Sequence, residues 1–369
     1  MVFLLYSPPR FTMESDLSNL ILNAFAYLPN FRGSENMIAV SSEKHVARYL
    51  RLVAVSLISA KERNPECSVA LVINVDVPQE FSRLFSKWDI EVINCPFEDF
   101  IFDASIKWSL AFYKLQALDY VVRNREFDNI LLLDTDTYVA ANLDCFWPEC
   151  GEHVMLLNIQ HSLDVPQARQ MNREYQQLFL ESAFLANYGG EFVAGSRGNL
   201  QTFMRVCSVI YERMVAQHVV TEHGDEFILS SAAEKVPGLI KDAGPYVYRY
   251  WTQSFYLVST NFQNNPVCVW HLPSEKSFAL PRAYEYLKKH GRIPDSRRMQ
   301  AWCNFRPARR PFNFYNYWVL LKEGRAFGYF KDLLRKIDPR GREPHLSASD
   351  AKQAEDLPLS PGSQDGSGD

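Results

Sequence analysis

The chain lacks any run near the roughly 18–20 consecutive apolar residues that a bilayer-spanning helix needs, so its 369 residues carry no candidate membrane span. It also lacks a CxxC pair or a Cys/His cluster at zinc spacing. Its seven cysteines are scattered, with Cys145 and Cys150 the one close pair. That excludes a disulfide scaffold and points to free, mostly buried thiols in a reducing compartment. A strong charge of either sign is missing too. The net charge of −4 makes no case for nucleic acid as a partner, which would favour a basic balance. No basic segment precedes the short apolar start Met1-Val2-Phe3-Leu4-Leu5-Tyr6, so a soluble, cytoplasmic protein without a signal peptide is the expectation. No internal repeat is visible.

Core-forming material is plentiful. A hydrophobic content of 47% with 14% aromatics is ample for one large α/β domain with additions, or for two domains. Residues 1–35 are expected to be an N-terminal extension with one short helix, Leu17 to Tyr27, closed by Pro29 and Gly33. A β/α alternation begins with a strand Met37–Ser41 and an amphipathic helix His45–Lys61, with Val46, Leu50, Val53 and Leu57 on one face. Strands Val69–Val75 and Ile90–Ile93 flank a helix Gln79–Lys87. A helix Ile106–Val122, a strand Ile130–Leu133 and a strand His153–Asn158 follow. Beyond them lie strands Glu191–Ala194 and Val267–Trp270 and helices Leu200–Gln217 and Glu226–Glu234. Such alternation means a mixed, mostly parallel sheet flanked by helices, here assigned to residues 36–280. Residues 281–338 are expected to form an aromatic and basic helical extension. The Ser-, Pro-, Gly- and Asp-rich tail 339–369 reads as disordered.

The four apolar residues Ile130-Leu131-Leu132-Leu133 read as a buried parallel strand, and two carboxylates, Asp134 and Asp136, stand at its mouth. In an extended chain the two point the same way, their Cα atoms roughly 6.5–7 Å apart. Like charges so close at the edge of a dry sheet repel unless a proton or a cation lies between them. Mg²⁺ or Mn²⁺ removes the repulsion and keeps positions open for substrate phosphates. Open α/β sheets bind ligands at this edge. A solvated turn or a cap for the next helix is the bland alternative. The four buried-type residues before the pair favour a metal–diphosphate site. On the preceding helix, Trp108, Phe112, Leu115, Leu118 and Val122 form an apolar stripe, with Lys107 and Lys114 seven residues apart on a bordering face. Two cations beside such a site suit a phosphate-bearing ligand, although helix lysines are commonly just solvated.

Together these residues resemble the GT-A nucleotide-sugar glycosyltransferases, most closely the family-eight group that contains the lipopolysaccharide galactosyltransferases and glycogenin. Phe112-Tyr113-Lys114-Leu115 is similar to the aromatic-x-(Arg/Lys)-Leu element that precedes the family's Leu-Asp-x-Asp strand. Ala141-Asn142-Leu143-Asp144-Cys145-Phe146 matches its asparagine-aspartate-aromatic element, and Asn187-Tyr188-Gly189-Gly190-Glu191 its Asn-x-Gly strand beside the sugar. Gly224-Asp225-Glu226 looks like the family's Asp-Gln-Asp helix start. Val269-Trp270-His271 and Lys276 are similar to its late histidine and downstream lysine. The match spans about residues 37 to 278. It departs where Val40-Ser41-Ser42-Glu43 replaces an Ala-x-Asp-like element, where the late histidine segment loses its glycine, and where Glu226 replaces a glutamine.

The resemblance implies a GT-A (Rossmann-like) fold and hexosyl transfer from a nucleotide-diphosphate sugar, usually a UDP-sugar, to a hydroxyl of a glycan or glycolipid acceptor. It implies Asp134, Asp136 and His271 as ligands of Mn²⁺ or Mg²⁺, and Ser41, Lys107, Lys114, Asp134 and Lys276 as donor-binding residues. Asp225, Glu226 and Glu191 become the catalytic candidates, since an inverting enzyme needs a carboxylate base while a retaining one can do without. Two other classes compete. A haloacid-dehalogenase-like phosphatase also ends a strand in Asp-x-Asp, but wants Thr or Val where Tyr138 stands and an aspartate where Leu229 stands. A non-catalytic, nucleotide-sugar-binding GT-A-like protein would share the fold without turnover. Finally, the aromatics and arginines of 302–330 suit peripheral contact with an anionic membrane, or packing on the catalytic domain.

Overall fold

A computed structural model describes residues 18–28, 42–103, 106, 108–160, 165–252 and 267–303, together with Trp318 and Leu321. The chain divides into two units, Met1–Ala308 and Arg309–Asp369. The described elements lie in the first, apart from those two single residues. The expected strand Met37–Ser41, the tail 339–369 and, apart from Trp302, Cys303, Trp318 and Leu321, the expected membrane-contact segment 302–330 fall outside the described residues.

The expected helix Leu17–Tyr27 is instead a strand, β1 (Asn19–Phe25), and it lies inside the sheet. A short run such as Leu20-Ile21-Leu22 does not distinguish a buried strand from a helix by periodicity. What decides is that both faces are covered, with Leu20, Ile21 and Leu22 fully buried. Burial of each such side chain is worth about 1.5–3 kcal/mol, which no exposed one-sided helix could recover.

Next come α1 (Ser42–Arg63), β2 (Ser68–Ile73), α2 (Gln79–Lys87) and β3 (Ile90–Asn94), close to their expected places. The expected helix Ile106–Val122 is broken. Trp108 adopts a left-handed backbone (φ 65°, ψ 15°), Ser109–Phe112 form a 3₁₀ turn, and only then does α3 (Tyr113–Asn124) begin. Phe112, Leu115, Leu118 and Val122 keep their buried stripe, but Trp108 leaves it for the surface.

After α3 the chain runs β4 (Asn129–Leu133), β5 (Thr137–Val139), α4 (Trp147–Glu152), β6 (Val154–Asn158), α5 (Pro166–Phe179) and β7 (Tyr188–Ser196). It continues through α6 (Arg197–Ala216), α7 (Asp225–Lys235), β8 (Ile240–Asp242), β9 (Val247–Arg249), β10 (Val269–His271), α8 (Ala279–His290) and α9 (Ser296–Trp302). The main sheet has the order β3-β2-β1-β4-β7-β6-β8, parallel except where β7 pairs with β4 and β6. A second sheet, β5-β10-β9, stands at its carboxyl edge.

Strand alternation sends Leu20, Leu22, Ile130 and Leu132 into a core shared with α3, α6 and α7. Ile21, Leu131 and Leu133 point the other way, toward Phe146 and Trp147. On that side α1 is buried nearly all round, which explains its two fully buried serines. Ser59 Oγ accepts from Val139 N at 2.9 Å, and Ser56 Oγ lies 2.7 Å from Thr137 Oγ1. Both thereby fix β5 directly beneath the Asp-x-Asp turn. No helix among the described residues is long and apolar enough to cross a membrane.

Candidate metal and donor site

The motif strand ends at Leu133, and Asp134 and Asp136 sit on a turn between β4 and β5 rather than on an extended strand. Polar bonds hold that turn. Asn23 Nδ2 donates to the carbonyl of Leu133 at 2.9 Å, and Thr137 Oγ1 donates to the carbonyl of Asp134 at 2.8 Å. Asp134 N donates to the carbonyl of Glu191 at 3.0 Å, tying the turn to β7.

The second sheet delivers the histidine. In the antiparallel pairing of β10 with β5, His271 lies opposite Thr137, and Leu272 N donates to the carbonyl of Asp136 at 3.0 Å. Asp134, Asp136 and His271 thus offer three ligand atoms all within 4.8 Å of one another. Asp136 is fully buried, and neither of its oxygens receives an aligned hydrogen bond. His271 Nε2 at 3.3 Å and Lys276 Nζ at 3.1 Å stand within ion-pair range only. A buried carboxylate left in that state, facing a second carboxylate and an imidazole, fits a divalent ion with mixed oxygen and nitrogen ligands.

Behind His271, its Nδ1 lies 3.1 Å from Glu191 Oε1. Ligating histidines are commonly oriented by such a carboxylate on the far ring nitrogen. Burial opposes a charged imidazole at this position, but Asp136 and Glu191 outweigh it and raise the pKa to about 9. Glu191 is in turn held by Arg249, which β9 places opposite His271 in the parallel pairing with β10. Burial works against ionised Glu191, yet the Arg249 guanidinium and His271 hold its carboxyl well below the ordinary range.

Lys114, in the first turn of α3, lies 2.9 Å from Asp225 Oδ2 and 3.6 Å from Asp134 Oδ2, and donates to the carbonyl of Gly190 at 3.0 Å. Burial disfavours its charge, but the two aspartates more than compensate and raise its pKa. Two adjacent glycines on β7 make both ion-pair groups possible. A Cβ at Gly189 would collide with Glu191 Oε2 and stand 2.6 Å from Arg249 Nη2. One at Gly190 would collide with Asp225 Oδ2 and stand 2.6 Å from Lys114 Nζ.

Five carboxylates, those of Asp134, Asp136, Glu191, Asp225 and Glu226, therefore face three permanent cations, Lys114, Lys276 and Arg249. The carboxylates outnumber these permanent cations, an excess that a divalent ion can offset. Burial raises the pKa of Asp225 against the pull of Lys114, and that of Glu226 against the pull of Arg249.

Lys114, Asp134, Asp225, Glu226, Arg249, His271 and Lys276 line a cavity of about 720 Å³, within the size range of small-molecule sites. One end, formed where β1 leaves the sheet and α1 begins, is aromatic. Phe25 stacks on Tyr49 at 5.3 Å, His45 lies 4.9 Å from Tyr49, and Tyr27 lies 5.8 Å from His45. The structure thus brings Asp134, Asp136, Lys114, Glu191, Asp225, Glu226, His271 and Lys276 together. Ser41 and Lys107 lie outside the described residues. The sequence pointed to neither Arg249 nor the aromatic end at β1. A buried acid such as Glu191 needs a cation, and that need was the available signal for Arg249.

In overall fold the chain is similar to the apo form of mouse xyloside xylosyltransferase 1, at 13% identity over 70% of this chain and 99% of that one, with a TM-score of 0.44. It is also similar to an active-site mutant of LgtC, at 14% identity over 76% of this chain and 99% of that one, with a TM-score of 0.49. No family model and no curated protein matches the chain.

Proposed function

We propose that this chain is a metal-dependent glycosyltransferase that moves a sugar from a nucleoside diphosphate sugar, a UDP-sugar by the sequence resemblance, to a hydroxyl of a glycan acceptor. One observation carries the reading. Asp134, Asp136 and His271 converge from two sheets at the carboxyl edge of the parallel strands, with Lys114 and Lys276 on the two sides of them. A divalent ion, Mn²⁺ or Mg²⁺, held by those three residues would supply Lewis-acid stabilisation of the diphosphate leaving group.

The chain's own residues divide the remaining work. Lys114 and Lys276 present ammonium donors that a diphosphate can take in exchange for Asp225 and Asp136. The aromatic end at Phe25, Tyr27, His45 and Tyr49 supplies flat apolar surface for a nucleobase. Glu191 is a positioning residue. Its side chain is fully buried and engaged by Arg249 and His271, which leaves it no route to an acceptor proton. Asp225, at 4% side-chain exposure, anchors Lys114. Glu226, at 24%, is the candidate that substrate can reach. It serves as general base to the acceptor hydroxyl if the reaction inverts, or as the charge facing an oxocarbenium-like centre if it retains. A catalytic unit reaching beyond residues 36–280 on both sides is supported by β1, which lies inside the sheet, and by α8, which packs on α1.

Thermal-shift measurement against UDP- and GDP-sugars, with and without Mn²⁺, tests the reading. Stabilisation by a nucleotide sugar that depends on the metal is expected, together with slow donor hydrolysis. Hydrolysis of p-nitrophenyl phosphate without any response to nucleotide sugars would place the chain with the phosphatases instead.

A further inference from the structure

The chain's thiols are used by none of these roles, and two of them meet. Cys67, Cys95, Cys150, Cys207 and Cys303 are buried, whereas Cys145 is exposed and Cys268 half-buried. Cys150 is the neighbour of Cys145 in sequence, but it is fully buried on α4. The fold brings Cys268 to Cys145 instead. Ala140 N donates to the carbonyl of Cys268 at 2.7 Å, where β10 meets β5, and Val269 N donates to the carbonyl of Tyr246 at 2.9 Å. The Tyr246 ring in turn packs edge-on against Phe146, 5.2 Å between centroids. The chain neighbours of both cysteines are thus fastened together, and the two thiols come within hydrogen-bonding reach of each other. Tyr246 stands close enough to feel both.

Both sides of this contact are held. In the turn before α4, Leu143 N donates to Asn64 Oδ1 at 2.8 Å, Asp144 N to Asn142 Oδ1 at 2.6 Å, and Phe146 N to the carbonyl of Leu143 at 2.8 Å. Cys268 is fixed through its carbonyl bond to Ala140 and through β10, which starts at the next residue. Holding two groups side by side in this way makes their reaction intramolecular and fast. The surroundings narrow what that reaction is. Among the described residues no third cysteine, histidine or carboxylate forms a ligand group with the two sulfurs, whereas a structural zinc ion takes four ligands. Burial pushes the Cys268 thiol up and Cys145 adds to that push, so Cys268 keeps its proton at pH 7. Cys145, being exposed, is the sulfur that an oxidant in solution reaches first.

We propose that Cys145 and Cys268 are a redox pair, which hydrogen peroxide closes to a disulfide that tethers the turn before α4 to the foot of β10. The Cys145 sulfur attacks one peroxide oxygen and the O–O bond breaks. Cys145 becomes a sulfenic acid, and the departing hydroxide takes the thiol's proton and leaves as water. The Cys268 sulfur then attacks the sulfenic sulfur, so that the S–S bond forms and the S–O bond breaks. The Cys268 proton leaves with that oxygen as a second water. The two thiols are oxidised by two electrons and the peroxide is reduced by the same two. His271 lies on β10, so the bond fastens the strand that carries the candidate metal ligand. No step of this uses a metal or a sugar donor.

The test uses the full chain, reduced, freed of reductant, kept in chelator and then treated with hydrogen peroxide under native conditions. Free thiols are counted after unfolding, and mass spectrometry of the alkylated digest finds which cysteines are linked. Two of the seven thiols should disappear, with Cys145 joined to Cys268 within one chain, and dithiothreitol should restore both. Cys150→Ser should form the same bond. Cys145→Ser and Cys268→Ser should not, with a cooperative thermal transition reporting that each is folded. The oxidised wild type should unfold about 5 °C or more above the reduced chain, and peroxide should give Cys145→Ser no such gain. A Cys145–Cys150 bond, a bond between Cys145 residues of two chains, Cys145 carried to the sulfinic acid while Cys268 stays a free thiol, or a thiol count that does not fall overturns the pair. A linked chain that unfolds no higher than the reduced one overturns the tether.

Discussion

Arg249 grips the fully buried carboxylate of Glu191 through two parallel bonds, Nε to Oε1 at 2.6 Å and Nη2 to Oε2 at 2.5 Å. The same Nη2 reaches Glu226 Oε1 at 2.8 Å. One guanidinium thus ties the carboxylate behind His271 to the cavity-lining carboxylate of Glu226. Removing it strands a buried charge, so Arg249→Met should destabilise the fold by about 3–5 kcal/mol. Arg249→Lys keeps the charge without the fork and should fall between. Urea denaturation of both variants checks this, and a loss under about 1 kcal/mol, as for an exposed pair, would contradict it.

On the proposed reading, Glu191 acts on the metal through His271. Glu191→Gln keeps the shape and removes the charge that orients the imidazole, and should weaken Mn²⁺ binding by about 10–100-fold. Asp136→Asn removes a ligand charge directly and should do more. Titration of Mn²⁺ followed by electron paramagnetic resonance orders the two, and equal, small effects would show that Asp136 is not a ligand.

The pH dependence has a defined sign. Without metal, the His271 pKa is raised from 6.5 to about 9. Its contribution to stability is full below 6.5 and is lost as pH rises through about 9. Metal needs the unprotonated ring, so Mn²⁺ affinity should rise about tenfold per pH unit below that value and level off above it. Proton release on metal binding, measured in buffers of different ionisation enthalpy, reads the same step. Affinity flat from pH 6.5 to 8.5 would exclude His271 as a ligand.

Much of this site was legible in the sequence. Ile130–Leu133 read as a buried strand from its place in the β/α alternation, and carboxylates at its mouth stood out against that apolar run. Lys114 stood out beside the apolar stripe of its helix, and His271 and Lys276 through the family resemblance, each next to a recognisable strand. The misses have physical causes. The β1 run is short and apolar, so its period was mute and only two-sided burial settles it. Trp108 fitted the helical stripe by spacing, yet sits at φ 65° against Gly224, a contact no local pattern encodes. Arg249 belongs to a three-residue strand whose partner Glu191 lies 58 positions away. Asp134 and Asp136 converge through the turn and the second sheet, not through the strand alternation that first paired them.

The lysines should separate phosphate from base. Lys114→Ala and Lys276→Ala are each expected to weaken UDP binding by about 1.5–3 kcal/mol and to leave uridine binding unchanged. Gly190→Ala, whose Cβ would displace the Lys114–Asp225 pair, should weaken UDP as Lys114→Ala does. Equal losses for UDP and uridine would make these lysines structural.

Calorimetric titration of the full chain with UDP, in Mn²⁺ and again in excess chelator, with Asp136→Ala run beside wild type, tests the metal–diphosphate site most directly. Binding by wild type in Mn²⁺ that disappears in chelator and in Asp136→Ala, with the variant's unfolding still cooperative, is the predicted result. UDP binding of equal strength in all three titrations would contradict it.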